Sequence, residues 1–239
     1  MNYNDYEMDM AFRERELEAS AALPVLMRKV YLWMTLALVI TGFTAFAVAT
    51  TPNLQALVFY NQWIMWGLII AEVVLVLVIS AGINKLSLTT ATLLFVLYSV
   101  INGATLSIIF VAYSIGTIST VFFITAGTFA VMAFIGYVVK ADLSGMGKIL
   151  FMALIGIIIA TIVNLFVKSS GLDMIISYAG VLIFVGLTAY DTQKIKNMLM
   201  MAGDTSEMSQ KIALLGALSL YLDFINLFIY LLRIFGKRN

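Results

Sequence analysis

The chain has 239 residues, of which 62% are hydrophobic and 11% are charged, and its formal net charge at pH 7 is +1. Soluble domains are about half apolar and about a quarter charged, so this composition excludes an ordinary soluble protein. The sequence has no histidine and no cysteine. That absence excludes Ser/His and Cys/His nucleophiles, histidine-ligated haem, thiolate or imidazole zinc sites and disulfides. We therefore expect a membrane protein without a cofactor.

The amino-terminal 29 residues are polar. They contain six acidic and four basic residues, and Pro24 lies shortly before the first long apolar run. The cationic start and the cleavage site of a signal peptide are missing from this segment. We expect residues 1–29 to form a cytoplasmic tail with at most a short surface helix, and residues 30–239 to form the transmembrane domain.

Seven apolar runs follow, each long enough to cross a hydrocarbon core of about 30 Å, which takes roughly 20 helical residues. Uninterrupted runs exclude the alternating strands of a transmembrane β-barrel. Short connections predict that consecutive helices are antiparallel neighbours. The predicted fold class is an all-α integral membrane protein, a seven-transmembrane-helix bundle. The predicted spans lie near residues 30–50, 63–83, 88–111, 116–138, 148–167, 174–194 and 211–235.

Lysine and arginine are unevenly distributed between the two sides of the predicted bundle. Ten of the 14 lie in the tail or in the connections after spans 2, 4 and 6. Because basic residues accumulate on the cytoplasmic side, we expect the amino terminus in the cytoplasm. The basic carboxyl terminus, with Lys237 and Arg238, would instead be cytoplasmic if the last helix entered the membrane and returned.

Three acidic residues lie within predicted spans: Glu72 on the second, Asp191 near the cytoplasmic end of the sixth and Asp223 near the middle of the seventh. An ionisable group inside a membrane costs a few kcal/mol, so it is expected to face the bundle interior and to have a partner or a function. Spans 6 and 7 form a hairpin, which allows Asp191 and Asp223 to approach each other if the two spans pack directly.

Polar neighbours accompany both aspartates, and one of them, Tyr190, directly precedes Asp191. Thr188 precedes Asp191 by three residues, and Asn226 follows Asp223 by three, so each pair shares a helix face. Two carboxylates close together in a low dielectric do not readily ionise at the same time, which would make the pair a proton switch. The same oxygens suit calcium, which takes six to eight oxygen ligands, so Asp191 and Asp223 are also a candidate metal site.

Structural roles remain open for these residues. Each aspartate could cap a helix end or neutralise a cation, as Asp191 would with Lys194. Glu72 and Arg233 form a candidate ion pair, because burying one charge alone costs more than burying both. Arg233 could instead extend to water at the outer end of its span.

Three strings, RKVYLWMTLALVITGFTAF, GLTAYDTQKIK and LYLDFINLFIYLLRIFG, resemble the Bax inhibitor-1 family, also called the transmembrane Bax inhibitor motif family, in its bacterial branch. The similarity extends from Arg28 to Gly236. It implies a carboxyl-terminal helix that lies centrally among the others, a bacterial inner-membrane location and a pH-sensitive calcium leak. It also implies that Asp191 and Asp223 form the pH sensor at the pore, and that a basic residue after span 2, here Lys85, pairs with them in the closed state.

Three functional hypotheses follow. The first is the calcium channel, with calcium and protons as ligands in a lipid bilayer and with no nucleic acid partner. The second is an intramembrane aspartyl protease, since Tyr190 and Asp191 match the first motif of such enzymes. Asp223 follows LYL, however, where those enzymes have a GxGD motif, so we expect no enzymatic activity and no catalytic residues. The third is a non-transporting regulator that binds a partner such as a membrane protease, through its charged tail.

Overall fold

The computed structural model describes residues 3–236, with the side chains of residues 10, 13 and 17–236. Lys237 and Arg238, on which the alternative side of the carboxyl terminus depends, lie outside the described residues. Within the described chain no strand is present, and the prediction of an all-α fold is confirmed. The nine helices of this part are α1 (Tyr3–Thr50), α2 (Pro52–Phe59), α3 (Gln62–Gly82), α4 (Leu88–Leu106), α5 (Ile108–Ala112), α6 (Ile115–Val138), α7 (Ser144–Val167), α8 (Ser170–Ala202) and α9 (Glu207–Phe235).

Seven segments of the described chain are long and apolar enough to cross a membrane, which confirms the seven predicted spans. The third span combines α4 and α5, which are separated at Ser107, whereas the short helix α2 connects the first two spans. The segments are Leu17–Thr50, Gln62–Gly82, Leu88–Ala112, Ile115–Val138, Ser144–Val167, Ser170–Ala202 and Glu207–Phe235.

The first helix is much longer than the sequence predicted. α1 begins at Tyr3 and continues through Pro24 to Thr50, so the expectation of at most a short surface helix before residue 30 is wrong. A proline inside a helix removes one backbone hydrogen bond and costs about 3 kcal/mol. Leu23 and Leu26, on either side of the proline, are buried against the bundle, and their packing offsets that cost.

α9 is the central helix of the bundle, as the family resemblance implied. Of its most apolar window, 67% is buried inside the protein, against 6% for α7. α9 packs against α1, α4, α6 and α8. A helix surrounded by others presents few side chains to lipid, so polar groups on α9 face protein or internal cavities.

Two glycines allow neighbouring helices to approach closely. A Cβ atom at Gly103 of α4 would lie 2.6 Å from the carbonyl oxygen of Thr41 on α1, and one at Gly136 of α6 would collide with the carbonyl oxygen of Ala189 on α8. Small residues at such crossings are typical of membrane helix packing. They set α1 against α4, and α6 against α8.

Candidate functional site

The candidate site lies on the hairpin of α8 and α9. Only residues 203–206 connect the two helices, because α8 continues to Ala202 instead of ending near residue 194. Gly203 ends α8 in the left-handed conformation with φ of 75°, and the side chain of Ser206 caps the start of α9. Asp191 therefore lies well inside a helix, and residues 195–202, which the predicted span left out, belong to α8.

Asp191 and Asp223 line the same cavity, a space of about 590 Å³ between α7, α8 and α9. Asp191 is half-buried. Asp223 is only 5% exposed, and its Oδ2 atom has no hydrogen-bond partner among the described residues. The two carboxylates interact electrostatically. A buried polar atom without a partner costs roughly 1–3 kcal/mol, so Asp223 reduces the stability of the fold at this position.

Of the polar neighbours predicted for the aspartate pair, two line the cavity and one does not. Tyr190 and Asn226 line the cavity with the two aspartates, and the amide nitrogen of Asn226 also donates to the carbonyl oxygen of Leu222, 2.8 Å away. Thr188 is fully buried outside the cavity. Its hydroxyl donates to a carbonyl oxygen one turn earlier in α8, a local bond that threonine commonly makes inside helices.

Two lysines other than the predicted one accompany the carboxylates. Lys148 and Lys194 line the cavity, and Lys194 interacts electrostatically with Asp191. Lys85 lies exposed in the connection between α3 and α4, does not line the cavity and forms no ion pair with a described residue. In this structure the predicted contact between Lys85 and the aspartate pair is therefore not formed.

The connection that carries Lys85 is held to α9 instead. The backbone N–H of Leu88 donates to Oε1 of Glu207, 3.0 Å away. The side chain of Lys211 donates to the carbonyl oxygen of Leu86 at 3.1 Å. These two bonds fix the connection at the start of α9, several helical turns before Asp223.

A second, smaller cavity adjoins the first. It has a volume of about 260 Å³, and its lining from α8 and α9 includes Asp191, Lys194, Ser219 and Leu222, all of which also line the first cavity. Ser80 of α3 contributes to its wall. Asp191 and Lys194 consequently lie at the junction of the two cavities.

Glu72 and Arg233 do not pair, so that prediction is wrong. Oε1 of Glu72 accepts a hydrogen bond from Thr105 at 2.6 Å, and Oε2 accepts one from Asn102 at 3.2 Å. Arg233 lies 3.6 Å from a carboxylate oxygen of Asp173, at the first turn of α8. Neutral donors on the adjacent α4 thus satisfy the glutamate. A sequence signal existed, since Asn102 and Thr105 are three residues apart and share a helix face.

A buried hydrogen-bond network continues from Glu72 to the central helix. Tyr221 donates its hydroxyl proton to Oδ1 of Asn102 at 2.9 Å, and its oxygen lies 2.6 Å from the hydroxyl of Thr41. Thr41 also donates to the carbonyl oxygen of Ser99. No sequence signal predicts this network, because Tyr221 and Thr41 lie in apolar runs where nothing in the pattern distinguishes a bonded hydroxyl.

The described residues contain no group of three or more acidic side chains that could hold a metal ion. A cation at the pair would have two carboxylates, so its remaining ligands would be neutral oxygens. The amide oxygen of Asn226 is a candidate among the cavity-lining groups, with water to complete the six to eight oxygens that calcium takes. A site that offers a cation so few protein ligands is suited to transient rather than permanent binding.

A family model described as inhibitor of apoptosis-promoting Bax1 matches residues 23–239. The chain belongs to the Bax inhibitor-1 family. The inner membrane protein YbhL of Escherichia coli (strain K12) is 50% identical to it over 225 residues, which cover 93% of this chain and 96% of YbhL. An uncharacterized protein of Borreliella burgdorferi is 47% identical over 88% of this chain and 91% of its own length.

A third relative, an uncharacterized membrane protein of Streptococcus pyogenes serotype M1, is 42% identical over 78% of this chain and 80% of its own length. Two of these three relatives are thus named as membrane proteins. With the seven apolar helices, family membership establishes a multi-pass membrane protein.

Proposed function

We propose that this protein is a pH-sensitive calcium leak channel of the bacterial inner membrane, controlled by Asp191 and Asp223. The observation that carries the proposal is the buried Oδ2 of Asp223, which has no hydrogen-bond partner in the described part of the chain and belongs to a residue that shares a cavity with Asp191. Carboxylate oxygens are ligands that calcium prefers. Two carboxylates in a low dielectric are also sensitive to protons. The family resemblance points to the same activity.

In the proposed mechanism calcium is the transported ion. Lys148 and Lys194 balance the charge of the two carboxylates when the site is empty, and a calcium ion between Asp191 and Asp223 displaces the nearer lysine. Ligand oxygens must be deprotonated to bind a metal, so calcium affinity should rise with pH and binding should release protons. The cavity supports this scheme, because both lysines and both aspartates line it.

The proposed gate has the opposite dependence on pH. When Asp191 is ionised, its charge attracts Lys194, which lines the junction of the two cavities with it. Protonation removes that attraction and releases the lysine, which would open the path on the acid side. A gate controls whether ions pass, whereas site affinity changes only occupancy, so we expect conduction to be favoured at acid pH. In this proposal Lys194 takes the role that the family resemblance implied for Lys85.

We place the amino terminus in the cytoplasm, on the basis of the lysine and arginine distribution. With this orientation the Lys148 and Lys194 end of the cavity opens toward the cytoplasm. The protein acts without a cofactor and is not an enzyme. The charge of the transported ion and the ionisation of the aspartates are sufficient for the proposed function.

Calcium flux into liposomes containing the purified protein tests the proposal across a pH series. Asp191→Asn and Asp223→Asn should each lose most of the pH dependence, because asparagine keeps the size and the hydrogen bonding but does not ionise. Asp142→Asn, which changes an exposed acid outside the spans, should titrate like the wild type. Lys194→Gln should raise flux at neutral pH, and Lys85→Gln should not.

Two results would contradict these expectations. Aspartate variants that titrate like the wild type would assign the pair a purely structural role. Purified protein without calcium flux at any pH would refute transport and favour the non-transporting regulator.

A further inference from the structure

A long apolar groove, separate from the carboxylate cavity, lies between α1 and α6. Both helices pack against α9. The space between them has two parts: the inner part, near Arg28, has a volume of about 670 Å³, and the outer part, near Ala45, has a volume of about 310 Å³. Leu38, Phe122 and Phe224 line both parts, so the groove is continuous. Phe224 lies at its base on the central helix, with its ring centroid 5.5 Å from that of Phe122.

The inner part of the groove has the depth of one lipid leaflet. It extends along α1 from Pro24 to Leu38, which at 1.5 Å per residue is about 21 Å. Half of a bilayer of about 40–45 Å, headgroup regions included, has about the same length. Its volume also lies within the roughly 300–1,000 Å³ of sites that hold small molecules.

Polar groups of the inner part are concentrated at one end. Arg28, Tyr31 and Tyr137 line this end, and Arg28 is exposed and has no carboxylate partner among the described residues. Tyrosine is enriched at the depth of lipid headgroups, and arginine extends its charge to the same depth. The guanidinium also matches the geometry of a phosphate, which it binds with two parallel hydrogen bonds.

The remaining length is shaped for hydrocarbon. One wall of the groove is formed by three alanines of α6 at helical spacing, whose small side chains leave space in the groove: Ala126, Ala130 and Ala133. Phe129 and Phe134 supply apolar surface beside them. In a bilayer such a groove is open to lipid tails, and an acyl chain can enter it from the side without crossing a polar region.

We propose that the groove is a binding site for one anionic phospholipid of the leaflet that contains Arg28. The phosphate binds Arg28 between Tyr31 and Tyr137, and one acyl chain follows the three alanines to Phe224. Because Phe224 directly follows Asp223, the bound chain would contact α9 next to the aspartate pair. An effect of lipid on flux would rest on the proposed function, whereas binding itself does not.

Native mass spectrometry and thermal melts of the detergent-solubilised protein test the site. The probes are phosphatidylglycerol and phosphatidylcholine with identical acyl chains. The wild type should retain one phosphatidylglycerol and should melt higher with it than with phosphatidylcholine. Arg28→Gln should weaken phosphatidylglycerol binding about fivefold, since a basic residue near anionic lipid contributes about 1 kcal/mol. Lys140→Gln, which removes an exposed lysine outside the groove, should bind like the wild type.

A second pair of variants tests the acyl chain. Ala130→Phe fills the groove at an exposed position, so the helix should tolerate it while the lipid adduct is lost. Val131→Phe, at a lipid-facing position outside the groove lining, should keep the adduct. Equal retention of the two lipids by the wild type, or unchanged binding in both Arg28→Gln and Ala130→Phe, would overturn the proposal. Neither measurement involves calcium, so a failure of the channel proposal leaves this result unaffected.

Discussion

Replacing Tyr221 by phenylalanine removes one oxygen atom from the centre of the bundle and keeps the ring. The side chain is fully buried, and its ring packs edge-on against those of Phe95 and Tyr98, with centroids 5.9 and 5.8 Å away. Its hydroxyl bonds to Asn102 and Thr41. The change therefore isolates the hydrogen bonds that join α9 to α4 and α1 from the apolar packing of the same residue.

The expected loss of stability follows from the hydrogen bonds that the hydroxyl groups of Tyr221 and Thr41 make. Tyr221 donates its one hydroxyl proton to Asn102, so Thr41 must share its own proton between Tyr221 and the carbonyl oxygen of Ser99. Removal ends two contacts, which contribute about 1.2 kcal/mol at the roughly 0.6 kcal/mol that is average for membrane helices. The buried Oδ1 of Asn102 loses its partner, which adds about 1 kcal/mol. Tyr221→Phe should therefore lower the free energy of unfolding by about 2 kcal/mol.

Reversible unfolding in mixed micelles with increasing dodecyl sulfate, followed by circular dichroism, measures this loss. Tyr98→Phe is the matched control, because the hydroxyl of Tyr98 has no hydrogen bond to a described residue and its ring contact is retained; it should stay near the wild type. A double-mutant cycle that combines Tyr221→Phe with Thr41→Val should give a coupling energy of about 0.5–1 kcal/mol in the free energy of unfolding. Equal losses in the two tyrosine variants would mean that the network does not stabilise the bundle.

Three further predictions concern the helix ends and crossings. The ion pair of Arg233 and Asp173 is partly exposed at 3.6 Å, so a double-mutant cycle with Gln and Asn should give a coupling of only about 0.2–1 kcal/mol in unfolding titrations; a larger value would contradict this. Gly136→Ala should lower the melting temperature, because its Cβ meets backbone of α8, whereas Gly127→Ala on the same helix meets nothing and serves as control; equal melting temperatures would refute the close crossing. Hydrogen bonds from two serine side chains lower the pKa of Asp204. Its stabilising contribution is therefore present above the unfolded pKa of about 4 and is lost as pH falls through the lower folded value. Melts between about pH 2 and 5 should show a smaller pH dependence in Asp204→Asn, and an unchanged profile would show that these bonds do not stabilise the fold.

The seven spans could be predicted because a long apolar run is a strong and local signal. The aspartates could be selected for a similar reason, since an acid inside an apolar run is conspicuous without any knowledge of its neighbours. The length of α1 could not be read in the same way. Local propensity predicts a break at Pro24, and only the burial of Leu23 and Leu26 against other helices explains why the helix continues.

The partners of charged side chains are not predictable from the sequence in the same way, because spacing along one helix does not give its rotation against the next. Arg233 was assigned to Glu72 by charge alone, yet neutral donors on α4 are the partners that Glu72 has. The family resemblance implied Lys85 as the partner of the aspartates, yet Lys194 is the lysine that lies near Asp191 in sequence and lines their cavity.

Tyr221 and Asp223 lie on the same central helix but differ in the hydrogen bonding of their side chains. The hydroxyl of Tyr221 has partners on two other helices, which is the arrangement expected of a group that stabilises a fold. The Oδ2 of Asp223, two residues later, is buried and has no partner among residues 3–236, which the structure describes. Hydrogen-bonding side chains do occur elsewhere in the bundle interior, since Asn102 and Thr41 bond to Tyr221. A buried carboxylate oxygen left without a donor destabilises the protein, and departures of this kind are expected at functional sites. The cost is understandable if the missing partner is an ion that must also be able to leave.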